Sequence, residues 1–188
     1  MSNMPVIRRA KKLLGKTLVF RDATVDDASF VLSLRLDELK SKYLSTTSSS
    51  LDDQVRWLEN YALSTDTAYF IIESLAGESL GSVRLYDAQG QSFCWGSWVV
   101  KDGAPMPTAV ESALMVYAYG VDVLGFEEAH FDVRKGNSKV SSFHERFGAV
   151  RTGETEADYL YRLSGDAIAR ARARLAKFLP NPLVVEQA

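Results

Sequence analysis

Ser92-Phe93-Cys94-Trp95-Gly96-Ser97-Trp98-Val99-Val100, followed by Lys101-Asp102-Gly103-Ala104-Pro105-Met106-Pro107, opens the stretch 92–149 that decides the fold. The first nine residues are rich in aromatic and β-branched types and read as a strand. The Gly/Pro segment is a loop. Thr108 to Leu124 then carries Val110, Ala113, Leu114, Tyr117 and Val121 at helical spacing, with Gly125 as its stop. Thr108-Ala109-Val110-Glu111 reads as a capping box. His130 to Arg134 is a strand again. A strand–helix–strand crossover within one sheet requires this strand to run parallel to 92–100. Asn137 caps the next helix, whose stripe is Val140, Phe143, His144 and Phe147, and Gly148 suits its C-terminal turn.

Upstream, Thr17-Leu18-Val19-Phe20 is a short β-rich run. Thr24 reads as an N-cap with Asp26 and Asp27 in the first turn, where carboxylates complement the helix dipole. The tract 45–50 is a polar loop, and Ser50 caps a helix over 51–63. Ala68 to Glu73, Leu80 to Tyr86 and Ser92 to Val100 form an antiparallel meander with turns at Gly77 and Gly90. Downstream, 150–152 and 159–163 read as a hairpin, and Asp166 to Phe178 as an Ala/Arg-rich helix stopped by Pro180 and Pro182. The order β-α-α-β-β-β-α-β-α-β-β predicts an α/β domain, a mixed sheet with helices on both sides.

The 188 residues suit one domain. Residues 1–16 hold Arg8, Arg9, Lys11, Lys12 and Lys16 without an acid and read as a basic arm, solvated or frayed. Residues 17–163 form the domain, and 164–188 a C-terminal helix and tail. The body is acidic, which argues against a nucleic-acid partner. A single cysteine, no secretory signal and no apolar run long enough to span a bilayer point to a cytoplasmic protein with no membrane partner. His130 and His144 stand apart with no cysteine cluster, so no metal site is expected. Neither GxxxxGK[ST] nor GxGxxG occurs. Leu183-Val184-Val185 and the Ala/Arg helix offer a surface for a homodimer.

Gly96-Ser97-Trp98 on the central strand, Glu111-Ser112-Ala113-Leu114 on the crossover helix, and Asn137 followed by Phe143-His144-Glu145-Arg146-Phe147-Gly148 together resemble the GCN5-related N-acetyltransferases, the GNAT family. The nearest branch is similar to the ribosomal-protein N-terminal acetyltransferases. The resemblance implies the GNAT acyl-CoA N-acyltransferase fold, acetyl-CoA (CoA) as cofactor and direct transfer to a primary amine. A small-molecule amine or amino sugar is the expected acceptor, a protein or peptide N-terminus the alternative, and a non-catalytic CoA-binding domain the alternative of another class. The chain departs from the family pattern at Pro105 and Pro107 in the phosphate loop, at Cys94 where the nearest branch has a glutamate, and at His144 where the family has a tyrosine.

The resemblance assigns the backbone of Trp98, Val99 and Val100 to the pantetheine arm. It assigns Gly103, Ala104, Met106, Thr108 and Ala109 to the pyrophosphate, because a helix N-terminus offers free N–H groups and a positive dipole end. Asn137 contacts the cofactor arm. His144 is the expected proton donor to the leaving thiolate, since an imidazolium of pKa ~6.5 protonates a thiolate of ~8.5 downhill. Ser141, one turn earlier, is its backup. Glu73 is the first candidate to take the ammonium proton, with Asp132 and Glu111 behind it and a water chain as an equal alternative.

Overall fold

A computed structural model describes residues 4–37, 40, 42–44, 48–179 and 182–187. Residues 45–47 of the polar tract and Pro180 lie outside the described residues. One nine-stranded sheet organises the chain. Its strands are β1 (Ala10–Leu14), β2 (Leu18–Asp22), β3 (Ala68–Ser74), β4 (Ser79–Gln89), β5 (Ser92–Val100), β6 (Glu128–Arg134), β7 (Val150–Glu154), β8 (Asp158–Leu163) and β9 (Val184–Gln187). Their spatial order is β7-β8-β6-β5-β4-β3-β2-β1-β9. Every pairing is antiparallel except β5 with β6, the parallel pair that the crossover demands.

Among the described residues, five α-helices cover the sheet: α1 (Ala28–Leu36), α2 (Leu51–Leu63), α3 (Thr108–Ala118), α4 (Ser138–Phe147) and α5 (Gly165–Arg174). Local chemistry sets their ends. The Thr24 N–H donates to Asp27 Oδ2 (2.8 Å) at the turn that leads into α1. Ser50 accepts from the Asp53 N–H (3.3 Å) at α2, and Asn137 from that of Val140 (3.4 Å) at α4. Gly148 closes α4 with φ +102°. Beyond α3 the chain widens into a π turn over Tyr119–Val123, and Gly120 lies flat on Phe93; a Cβ there would sit 2.4 Å from the ring.

Strand alternation sorts the sheet into two faces. Phe20, Phe70, Leu85, Phe93, Trp95, Phe131 and their neighbours join residues of α3, α4 and α5 in the main core. Tyr69 and Ile71 face the other way and make a smaller core with Val31, Leu58 and Tyr61 from α1 and α2. Toward β4, β5 and β6 that second face turns polar.

Both termini differ from the sequence reading. Residues 10–14 are a strand rather than a solvated arm, and Ile7, Ala10 and Leu13 are buried. The positive charges go outward to carboxylates: Arg9 meets Asp22 (3.8 Å) and Lys11 meets Glu186 (2.7 Å). The charge density hid an apolar position at every third residue. Val184–Gln187 pairs with β1, and Leu183 and Val185 pack on the chain's own core.

The capping box expected at Thr108 is also absent. Pro107 is the N-cap and carries no side-chain cap bond. Glu111, 1% exposed, instead reaches across to the β1–β2 turn. It accepts from the N–H groups of Thr17 (2.7 Å) and Leu18 (3.1 Å) and from the Thr17 hydroxyl (2.5 Å). This carboxylate is a buried tie between α3 and β2, fully satisfied, and not a free base.

Candidate active site

β5 begins between two neighbours and ends with one. Its pairing with β6 covers only Ser92↔Glu128, Phe93↔Ala129 and Cys94↔His130. Beyond Cys94 it stays with β4, while β6 continues to Arg134 paired only with β8. The two parallel strands therefore part, and β5 presents an unpaired backbone edge. The Lys101 N–H donates to Leu80 O (2.8 Å) on the β4 side. By alternation the Val100 N–H points into the opening.

A bulge lies at the parting. Register shifts between the Arg84↔Gly96 and Ser82↔Val99 pairs, and Ser97 takes φ +45°. The Ser82 hydroxyl donates to Ser97 O (3.2 Å) and holds it there. The extra residue turns the Trp98 side chain onto the same face as Trp95, with ring centroids 5.3 Å apart. Simple alternation would have put the two indoles on opposite faces. The Trp98 indole N–H donates to Ser112 Oγ on α3 (3.1 Å), so the opening has a fixed wall.

At the mouth of α3, Gly103 takes φ +78°, and the Asp102 carboxylate meets Lys40 Nζ (2.9 Å). Two of the expected phosphate donors are spent within the loop. The Ala104 N–H donates to Lys101 O (3.4 Å) and the Thr108 N–H to Pro105 O (2.9 Å). Gly103, Met106, Ala109 and Val110 keep N–H groups with no acceptor among the described residues. Met106 is 96% exposed. Pro107 as N-cap explains how the loop tolerates two prolines, since neither removes one of those four donors. Together with the unpaired edge of β5, these groups fit an extended cofactor arm ending in a pyrophosphate.

His144 is 5% exposed and ringed by Trp95, Trp98, Phe131 and Phe143, the nearest centroid being Phe131 at 4.1 Å. Burial pushes its pKa down to about 3, and its Nδ1 has no hydrogen-bond partner among the described residues. The imidazole is therefore neutral at physiological pH. An imidazolium donor at this position, as the sequence reading expects, would have to hold its proton against that burial. One turn earlier, Ser141 is half-buried beside the Tyr161 hydroxyl, which donates to Glu145 Oε1 (2.9 Å).

Glu73 is occupied as well. Its Oε1 accepts from Arg21 Nε (2.9 Å), and the same guanidinium holds Asp27 with bonds of 2.8 and 3.0 Å. β3 is also two strands from β5. The candidate base of the sequence reading is thus part of an ion-pair network that anchors α1.

Asp132 lies on β6 just past its last pair with β5. It shares the polar face with Cys94, Tyr86 and His130, and it is exposed. Partial burial raises its carboxyl above the usual range; Asp158 and Asp87 push the same way, and His130 opposes them. His130 Nδ1 lies 2.7 Å from the Ser92 hydroxyl and Nε2 lies 3.4 Å from Asp87 Oδ2, an arrangement that places the Nε2 proton toward the carboxylate. Burial pushes the Cys94 thiol up to about 12, so it is not a nucleophile. Tyr86, opposite Cys94, is likewise raised by burial and stays protonated. Sequence reading named Asp132 and its face by alternation, but the cluster of Tyr86 and Cys94 with it depends on strand order.

The comparisons with known proteins agree with this geometry. Residues 17–150 match the family model Acetyltransferase (GNAT) domain. Among solved structures, apo FdhC, a nucleotide-linked sugar GNAT, is 35% identical with a TM-score of 0.80 over 89% of this chain and 98% of that one. A GCN5-related N-acetyltransferase from Brucella melitensis is 18% identical, with a TM-score of 0.74 over 96% and 91% of the two chains. Spermidine N-acetyltransferase from Vibrio cholerae, in complex with CoA and spermine, is 15% identical, with a TM-score of 0.70 over 81% and 98%. The last two likenesses speak for the fold alone. No curated protein matches the chain.

Proposed function

The chain belongs to the GNAT acetyltransferase family, and from that premise we propose that it transfers an acetyl group from acetyl-CoA to the primary amine of an amino sugar carried on a nucleotide. The parting of β5 from β6 is the observation that carries acyl transfer. It leaves backbone donors unspent in a slot that ends at the N-terminus of α3. The 35% identity to a nucleotide-linked sugar GNAT supports the acceptor class.

Acetyl-CoA supplies the thioester carbonyl. Trp98, Val99 and Val100 line its arm through the backbone of β5, with a β5 N–H facing the thioester oxygen. Gly103, Met106, Ala109 and Val110 hold the pyrophosphate, and Asn137 borders the arm from α4. Asp132 takes the ammonium proton; its raised affinity for protons makes it a better base than an ordinary carboxylate. Ser141, beside Tyr161, relays to the thiolate, through water, the proton that the acylated nitrogen gives up. His144, neutral and apolar in its contacts, keeps that wall dry and holds Trp98 in place. A cytoplasmic setting fits the free thiol of Cys94.

The test is thiol release from acetyl-CoA with four amines: a nucleoside-diphosphate-linked amino sugar, the free amino sugar, spermidine and a peptide with a free N-terminus. The linked sugar is expected to turn over with the highest kcat/KM. Preference for spermidine or the peptide would move the acceptor class. Binding of acetyl-CoA with no turnover of any amine would favour a non-catalytic CoA-binding domain.

A further inference from the structure

The polar face beside β5 has a second end, opposite in sign to Asp132. Arg84 on β4 pairs in register with Gly96, directly before the bulge where β5 leaves β6. Its guanidinium carbon lies 5.3 Å from the Trp57 ring centroid and 4.8 Å from that of Tyr86. Its Nε donates to Thr67 Oγ1 (2.9 Å), and the Thr67 hydroxyl in turn donates to Leu85 O (2.9 Å). The side chain is thus fixed by two aromatic rings and a buried threonine.

What it lacks is a carboxylate. Four other half-buried arginines, Arg9, Arg21, Arg134 and Arg172, each hold an aspartate or glutamate. Arg84 is half-buried and forms no ion pair among the described residues, and neither of its terminal amines has a protein acceptor there. A guanidinium held rigidly with its two-pronged end unspent is a receptor for a planar or tetrahedral oxyanion. Tyr86 packs against this cation and also feels the charge of the Asp132 carboxylate. Arg84 sits beside Gly96 on the β4 side, and Asp132 lies two residues past the Cys94↔His130 pair on the β6 side, so the face runs from positive on β4 to negative on β6. An acceptor with an anion at one end and an ammonium at the other matches it.

We infer that Arg84, seated between Trp57 and Tyr86, receives a phosphate of the acceptor and so orients its amine toward Asp132 at the opening of β5 and β6. The inference rests on the acceptor reading above and sharpens it, because it names the group through which the nucleotide-linked sugar is recognised. A sugar phosphate and a carboxylate-bearing amine share this chemistry.

Calorimetry with the nucleoside diphosphate alone reads the receptor without any turnover. Wild type is expected to bind it, and Arg84→Gln to bind it about 10- to 100-fold more weakly, the span expected for one charge-assisted hydrogen-bonding group. Arg84→Lys keeps the charge without the fork and is expected to fall between the two. In thiol-release assays, Arg84→Gln should raise KM for the linked sugar and leave KM for acetyl-CoA and kcat/KM for the free amino sugar as in wild type. The unchanged KM for acetyl-CoA also reports a folded variant, and Thr67→Val, which removes the Nε anchor together with the hydroxyl's own bond to Leu85 O but spares the two-pronged end of Arg84, gives a smaller loss. A linked sugar and a sugar 1-phosphate affected alike place the receptor on the phosphate nearest the sugar. An effect confined to a carboxylate-bearing amine overturns the phosphate assignment. Equal diphosphate binding by wild type and Arg84→Gln overturns the inference outright. Failure of every amine to turn over, with Arg84-dependent diphosphate binding intact, would count against the acceptor reading and leave the receptor standing.

Discussion

The two faces of the sheet are built on different principles. On the face under α3, α4 and α5, β5 and β6 contribute Phe93, Trp95, Phe131 and Val133 to one continuous apolar core, and even its histidine is neutral. On the other face the same two strands offer Cys94, Gly96, His130 and Asp132, and β4 adds Arg84 and Tyr86. Charge there is held in place by rings, hydroxyls and opposing charges. One face sets the shape of the opening, and the other sets what enters it. A residue's chemistry is thus decided by which side of β5 or β6 it leaves from. His144 and His130 show this most directly, since one is desolvated into silence and the other is bonded through both ring nitrogens.

Breaking the polar face should cost activity and spare the fold. Asp132→Asn keeps the shape and removes the proton acceptor. Its kcat is expected to fall by about two to three orders of magnitude, in the range for general-base loss, with little change in melting temperature. A kcat within a few-fold of wild type would return the proton to a water chain.

Altering the apolar face should do the reverse. The folded-state pKa of His144 lies far below its unfolded value of ~6.5, so the unfolded chain binds the extra proton between those values. The stability that the neutral imidazole allows is present above pH ~6.5 and is lost as pH falls toward 3. His144→Phe should flatten that acid limb, by an amount on the order of a few kcal/mol, and leave kcat near neutral pH within a few-fold. Loss of most of the activity in His144→Phe, with acetyl-CoA still bound, would restore the histidine as proton donor.

Glu111 sharpens the contrast from inside the apolar face. Its three bonds to Thr17 and Leu18 are structural, so Glu111→Ala should destabilise by about 2–4 kcal/mol in denaturant unfolding. KM values should hold. The smallest effect is expected at Gly120, where an added Cβ would press on Phe93; Gly120→Ala should cost about 1–3 kcal/mol with activity retained.

Much of this was legible in the sequence. The crossover from 92–100 through 108–124 to 130–134 fixes a parallel pair, and the caps at Thr24, Ser50 and Asn137 are local chemistry. What stayed hidden depends on partners distant along the chain. The basic residues 8–12 look like a solvated arm because nothing local shows that Asp22 and Glu186 receive them. Glu111 fits a capping box by spacing, and its true partners lie about ninety positions away. Glu73 has no local partner in the sequence, and its counter-ion Arg21 comes from the adjacent strand. The bulge does have a local signal: Gly96-Ser97 inside a strand marks a break in alternation, and it decides where Trp98 points.

The central claim is that the unpaired edge of β5 holds the acyl donor. Val100→Pro removes the N–H that faces the opening, while the Lys101 N–H keeps its bond to β4. Calorimetry with acetyl-CoA on wild type and Val100→Pro is the most direct measurement. The account predicts that the wild type binds and that the variant, still folded, binds at least about tenfold more weakly, the loss expected for one buried hydrogen bond. Equal affinities would contradict it.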